Sequence, residues 1–228
     1  MKISREQILE VLDTIEDPYL PGSVAMHLED YDVSSLLTKR ITVSLMWSYP
    51  VAGIQEELGR KIGDALSGLD ERMDVEVKIG CTIQSGRNEG EEPVAGVKNV
   101  IAVASGKGGV GKSTVSVNLA LALAAEGARV GLLDADIYGP SQGTMLGVPA
   151  DVRPEIFEGT LLEPIRARGI QCMSMSFVAS DNQPMVWRGP MASSALQQLV
   201  NQTHWDALDY LIVDMPPGTG DIQLTLSQ

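Results

Sequence analysis

Residues 106–114, Gly-Lys-Gly-Gly-Val-Gly-Lys-Ser-Thr, place four glycines, two lysines and two hydroxyls in nine consecutive positions. Gly106-x-x-x-x-Gly111-Lys112-Ser113 fits the phosphate-binding loop pattern, which requires a strand before it and a helix after it. Gly106, Gly108, Gly109 and Gly111 permit backbone angles closed to other residues and carry no Cβ to block a phosphate. Successive N–H groups can then converge on an anion, reinforced by the positive end of the following helix. Lys112 is expected to reach the β- and γ-phosphates of ATP, and the Ser113 hydroxyl to ligate Mg²⁺. The whole run Gly106, Lys107, Gly108, Gly109, Val110, Gly111, Lys112, Ser113, Thr114 is therefore the expected nucleotide-binding loop.

Three acids complete the chemistry. Asp209-Tyr-Leu-Ile-Val-Asp214 is an apolar run ended by a carboxylate, the Walker B pattern, so Asp214 is expected to hold Mg²⁺. Asp134-Ala-Asp136 follows another apolar run. In parallel sheets ligands sit beyond the carboxyl ends of strands, which aims both acids at the nucleotide. Asp136 is read as the residue that orients or activates the attacking water. Asp134 either joins the Mg²⁺ shell or simply caps the loop.

Val100–Ala104 reads as the strand entering the loop, and Ser113–Glu126, apolar nearly all round, as a buried helix stopped by Gly127. Arg129–Leu133 reads as a buried parallel strand and Gly169–Met175 as a third core strand. Asp151–Arg168 reads as a loop or hairpin excursion, and a helix starts near Met191 and runs to Gln202. The fold class expected is α/β: a P-loop NTPase with a mainly parallel sheet, here C-terminally truncated, preceded by a small α+β domain. In that domain Ser4-Arg-Glu-Gln7 forms a capping box for a helix carrying Ile8, Leu9, Leu12 and Ile15, ended by Asp17-Pro18. Arg40–Trp47 and Met73–Ile79 alternate as strands, and Val51, Ile54, Leu58, Ile62 and Leu66 stripe a second helix. The domains expected are residues 1–82, a linker at 83–97 around the polar run Gln84–Pro93, and 98–228.

The formal net charge is −13, with 9 Lys/Arg against 18 Asp/Glu in residues 1–97 and 8 against 12 in residues 98–228. An acidic chain without a basic run argues against nucleic acid and anionic membranes as partners. No stretch approaches the ~18 apolar residues of a membrane span, and the N-terminus carries no signal-peptide h-region, so a cytoplasmic location is expected. Cys81 and Cys172 stand far apart and form no Cys-x-x-Cys motif. His27 and His204 lie in no acid–histidine metal spacing and read as ordinary histidines.

With these residues in hand, a family resemblance emerges. Lys107 makes the loop similar to the deviant P-loop of the MinD/ParA/nitrogenase-iron-protein class, Lys-Gly-Gly-x-Gly-Lys-Ser/Thr. That likeness implies that Lys107 crosses a homodimer interface to the partner's nucleotide, joining Lys112 and Asp136 in the catalytic set. The class also places its water-directing acid 24 residues after the loop lysine, the interval from Lys112 to Asp136. Gly106–Thr114, Asp134–Ser141, and Trp187-Arg188-Gly-Pro-Met191 running on to Asp214-Met-Pro-Pro-Gly-Thr-Gly-Asp221 resemble the Mrp/ApbC-type iron–sulfur cluster carriers specifically. The order of the first 80 or so residues resembles the small domain that precedes the ATPase in that family. The stretch Trp47–Gly53 lacks the cysteine such domains often carry, which favours a docking role.

The resemblance implies a Mg²⁺-dependent, homodimeric ATPase that carries a [4Fe–4S] cluster and passes it to apoproteins. Relatives continue past Gln228 with further strands, adenine contacts and a Cys-x-x-Cys pair. The chain is accordingly expected to be an N-terminal piece that contains no iron–sulfur ligands, and to aggregate or bind ATP poorly on its own. Two other readings stand beside this one: a MinD/ParA-like positioning or partitioning switch, and a non-enzymatic interaction module acting through residues 1–82.

Overall fold

Ser4 starts the first helix as its sequence demands. Its hydroxyl accepts from the Gln7 N–H while the Gln7 side chain accepts from the Ser4 N–H, and α1 (Arg5–Leu12) then buries Ile8 and Leu12. The computed structural model describes residues 3–34, 39–70, 72–86, 94–137, 139–178 and 189–218. Its chain divides into two units, Met1–Ile83 and Gln84–Gln228.

In the first unit α1 ends at Leu12, short of the expected Asp17-Pro18 boundary. The reason is local: Asp17 N–H bonds the Gly22 carbonyl and Glu16 pairs with Ser23, so residues 13–23 form a closed turn. Leu28–Ser34 forms β1, Lys39–Trp47 β2, Gln55–Ser67 α2 and Met73–Cys81 β3. The sheet runs β1-β2-β3, antiparallel between the first pair and parallel between the second. Ile41, Val43, Leu45 and Trp47 occupy alternate positions of β2 and are fully buried against the Leu58, Ile62 and Leu66 stripe of α2. Gly59 and Gly63 face β3 from α2, where an added Cβ would make ordinary contacts, 3.7 Å from Ile79 and 3.8 Å from Val77.

The second unit is the α/β fold expected. It begins with β4 (Val97–Val103), whose start lies within the stretch expected to be linker because Leu208 N–H bonds the Gly96 carbonyl and Leu208 pairs with Val97. Then come α3 (Lys112–Ala125), β5 (Val130–Asp134), the short α4 (Gln142–Leu146), a hairpin of β6 (Ile156–Phe157) and β7 (Leu161–Leu162), β8 (Ile165–Ala167) and β9 (Ile170–Ser174). A single turn α5 (Met175–Val178), α6 (Gly189–Gln202) and β10 (Leu208–Asp214) follow. Sheet order is β4-β10-β5-β9-β8, with only β8 antiparallel to its neighbour. The excursion 151–168 thus contributes a strand to the sheet as well as a hairpin.

This order positions the chemistry. β10 inserts between β4 and β5, so Asp214 pairs with Val103 on one side and Asp134 on the other. Two acids therefore stand side by side at the carboxyl edge, beside the loop that leaves β4. Trp187, Arg188, Tyr138, linker residues 87–93 and residues 219–228 lie outside the described residues.

Candidate nucleotide-binding site

The glycine loop leaves β4 and turns sharply into α3. Gly109 and Gly111 hold φ of 75° and 90°, left-handed conformations that explain glycine at these two positions. Gly111 is the residue on which α3 starts, and it has no capping side chain. The amide N–H groups that every helix start leaves unpaired are therefore open to an anionic ligand. A Cβ built on Gly106, Gly108, Gly109 or Gly111 would meet nothing within 4 Å. The last three of these border a cleft of about 200 Å³ lined by Ser105, Gly108, Gly109, Gly111, Lys112, Ser113, Thr114, Asp136 and Pro217. The turn after β10 is tied to the loop's entrance, Gly218 N–H donating to the Ser105 carbonyl at 2.9 Å.

Lys112 and Asp214, expected to serve phosphate and Mg²⁺ respectively, bind each other here. Lys112 Nζ lies 2.5 Å from Asp214 Oδ1 and 3.2 Å from Ser113 Oγ, with both charged side chains buried. Ser116 Oγ stands 2.9 Å from the same Oδ1 and 3.1 Å from the Lys112 carbonyl. Gln142 Nε2 donates to Asp214 Oδ2 at 2.8 Å and to the Ser113 carbonyl at 3.0 Å. Two of these residues escaped the sequence reading. Ser116 had a usable signal, since it lies one turn after Lys112 and so on the same helix face. Gln142 had none, because only the sheet order brings α4 to β10.

Asp134 is buried, and its carboxylate accepts from backbone amides: Oδ1 from Asp136 N–H, Oδ2 from Ser141 and Gln142 N–H. Burial raises its pKa and the Asp214 charge raises it further. The amide bonds oppose this, and the carboxyl ends pushed up to about 6. This geometry matches the loop-capping alternative for Asp134. Asp136 is half-buried and lines the cleft, with Oδ1 accepting from Gly139 N–H at 3.2 Å. Lys107 is exposed, and its carbonyl accepts from the Ser105 hydroxyl.

The groups gathered here suit a magnesium nucleotide. A hydroxyl and carboxylates are the hard oxygen ligands Mg²⁺ takes, the rest of its shell coming from phosphate and water. Among the described residues no group of three or more His, Cys, Asp or Glu could hold a metal by itself. Cys81 is exposed in the first unit and Cys172 buried in the second, so the described residues offer no thiolate set for an iron–sulfur cluster. Among these residues no helix is long and apolar enough to cross a membrane.

Comparison with known proteins agrees with the fold. An iron–sulfur cluster carrier protein of Pseudomonas fragi is 61% identical over 165 residues, covering 72% of this chain and 58% of that protein. One of Synechocystis is 44% identical over 229 residues, covering 99% of this chain and 65% of the relative. The chain thus spans less than two thirds of the length of either. A solved structure of a nucleotide-binding protein from Archaeoglobus fulgidus in complex with ADP aligns with a TM-score of 0.50 at 37% identity, over 59% of this chain and 51% of the other. Residues 96–228 match the ParA family described as the NUBPL iron-transfer P-loop NTPase. The chain belongs to that family.

Proposed function

We propose that this chain supplies the nucleotide-binding and hydrolysing part of an iron–sulfur cluster carrier that transfers clusters to apoproteins. The observation that carries the proposal is the single cleft in which open glycines, Lys112, Ser113 and Asp136 meet. On this reading Lys112 exchanges Asp214 for the β- and γ-phosphates of ATP, and Ser113 and Asp214 are the residues that would hold Mg²⁺. The ion, when bound, neutralises charge developing on the phosphates. Asp136 orients the attacking water from the cleft wall. Lys107, exposed at the loop, completes the partner's site in a homodimer. The first unit serves as a docking domain, and cluster ligation is assigned to no residue of this chain.

The test is cluster transfer by the complete protein, loaded anaerobically with iron and sulfide, to an apo-acceptor with and without Mg·ATP. ATP should change the transfer rate in the wild type, and Lys112→Ala should abolish that ATP effect while still carrying iron. An ATP effect undiminished in Lys112→Ala would overturn the proposal. Salt-sensitive capture of the protein by DNA or anionic liposomes, with no ATP effect on transfer, would support a positioning switch instead.

A further inference from the structure

Gln142 is fully buried and touches three of the motifs that define the site. Its backbone N–H caps Asp134, and its side-chain Nε2 bridges Asp214 Oδ2 and the Ser113 carbonyl. Both neighbours of Nε2 are acceptors, which fixes the orientation of the amide: a flipped group would set oxygen against oxygen. The carbonyl Oε1 is then a buried acceptor with no hydrogen-bond partner, alone in this respect among the described residues. Buried side-chain acceptors are nearly always satisfied, so an orphan beside an expected cation site points to a donor that arrives with the ligand.

We propose that Gln142 is a positioning residue for the magnesium nucleotide: Nε2 holds Asp214 Oδ2 in place when Lys112 leaves Oδ1, and Oε1 accepts from a water of the hydrated ion. This rests on the reading of the cleft as a Mg·ATP site. Without Gln142, the loss of Lys112 to phosphate would leave Asp214 anchored through Ser116 alone, free to rotate away from the ion. Partners of this kind, which orient a ligand without contacting the metal, typically change metal affinity by about 10- to 100-fold when removed.

The experiment uses the complete protein and its Gln142→Met variant, a near-isosteric change that removes both the donor and the orphan acceptor. The affinity for a fluorescent ATP analogue is measured over a Mg²⁺ titration and again in EDTA. The half-saturating Mg²⁺ concentration should rise about tenfold or more in the variant while affinity in EDTA stays close to wild type, and the melting temperature should fall modestly because the buried Asp214 Oδ2 and the Ser113 carbonyl lose their donor. An unchanged Mg²⁺ dependence, with or without a change in melting temperature, would make Gln142 a packing residue and overturn the inference. Should the Met variant not fold, Gln142→Asn keeps the amide but is too short to reach both acceptors, and the same shift is expected. A wild type that binds no nucleotide would overturn the underlying site assignment, whereas wild-type binding with an unmoved variant overturns only the role of Gln142.

Discussion

Asp17 in the first unit and Asp214 in the second are both buried carboxylates ringed by donors, yet their surroundings differ in kind. Asp17 Oδ1 accepts from the Tyr19 and Leu20 N–H groups, and Oδ2 from His27 Nε2 at 2.7 Å and Trp47 Nε1 at 3.2 Å. The Tyr49 hydroxyl lies within 2.7 Å of both oxygens, and the His27 ring stacks on Trp47 at 4.3 Å. That cluster is closed: one acid ties a turn, a strand and the rings of His27, Trp47 and Tyr49 together. Asp214 is held by a lysine, a hydroxyl and an amide, but beside it lie glycines facing open space and an acceptor with no partner. A saturated buried acid reads as a staple of the fold; one set among unsatisfied groups reads as part of a site that a ligand completes.

The widest separation between the two regions should come from Lys112→Ala. ATP hydrolysis should fall by roughly 100- to 1000-fold, as for loss of a group aimed at developing transition-state charge, with the first unit unaffected. Asp17→Ala should do the reverse. It leaves several buried donors unpaired and should destabilise the first unit by about 3–5 kcal/mol in denaturant unfolding, with ATP turnover per folded molecule unchanged. Loss of turnover in the folded Asp17 variant would mean that the closed cluster is not merely structural.

Glycines sharpen the contrast at smaller scale. A Cβ on Gly143 would stand 2.7 Å from Phe177 Cε1, so Gly143→Ala should lower stability by about 1–3 kcal/mol. Gly108→Ala meets open space and should leave stability nearly unchanged while weakening ATP binding. Equal effects of the two on melting temperature would count against the open-loop description.

The smallest effect is in pH. Burial alone would raise the Asp17 carboxyl, but hydrogen bonds from Tyr49, the Leu20 and Tyr19 amides and His27 outweigh it and hold it well below the ordinary value of 3.8. A folded-state pKa depressed in this way contributes stability that is full above the unfolded value and lost as pH falls below it. The stability gap between wild type and Asp17→Ala should therefore be constant from neutral pH down to about 5 and narrow below about 4. A gap that held steady down to pH 3 would contradict this origin.

What the sequence made legible follows from where information is local. The capping box at Ser4, the left-handed glycine before α3 and the apolar runs ending in Asp134 and Asp214 are encoded within a few residues each, and the structure has them. Leu28–Ser34 is hard to read as a strand because only Leu28 in it is buried, so its alternation is faint. β8 was hidden inside an excursion because three residues carry too little pattern to read. Gln142 was invisible for a deeper reason: its contacts to Ser113 and Asp214 span 29 and 72 residues and arise only once β10 lies beside β5. Likewise the Lys112–Asp214 pair spans 102 residues and arises only from the placing of β10 beside the loop.

Amide hydrogen exchange of the complete protein, with and without Mg·ATP, tests the nucleotide site most directly. Nucleotide should slow exchange across residues 106–114 and around Gln142 and Asp214, and leave the Asp17, Trp47 and Tyr49 segments unchanged. Exchange in the glycine loop that is indifferent to nucleotide, or protection confined to the first unit, would show that the nucleotide site lies elsewhere.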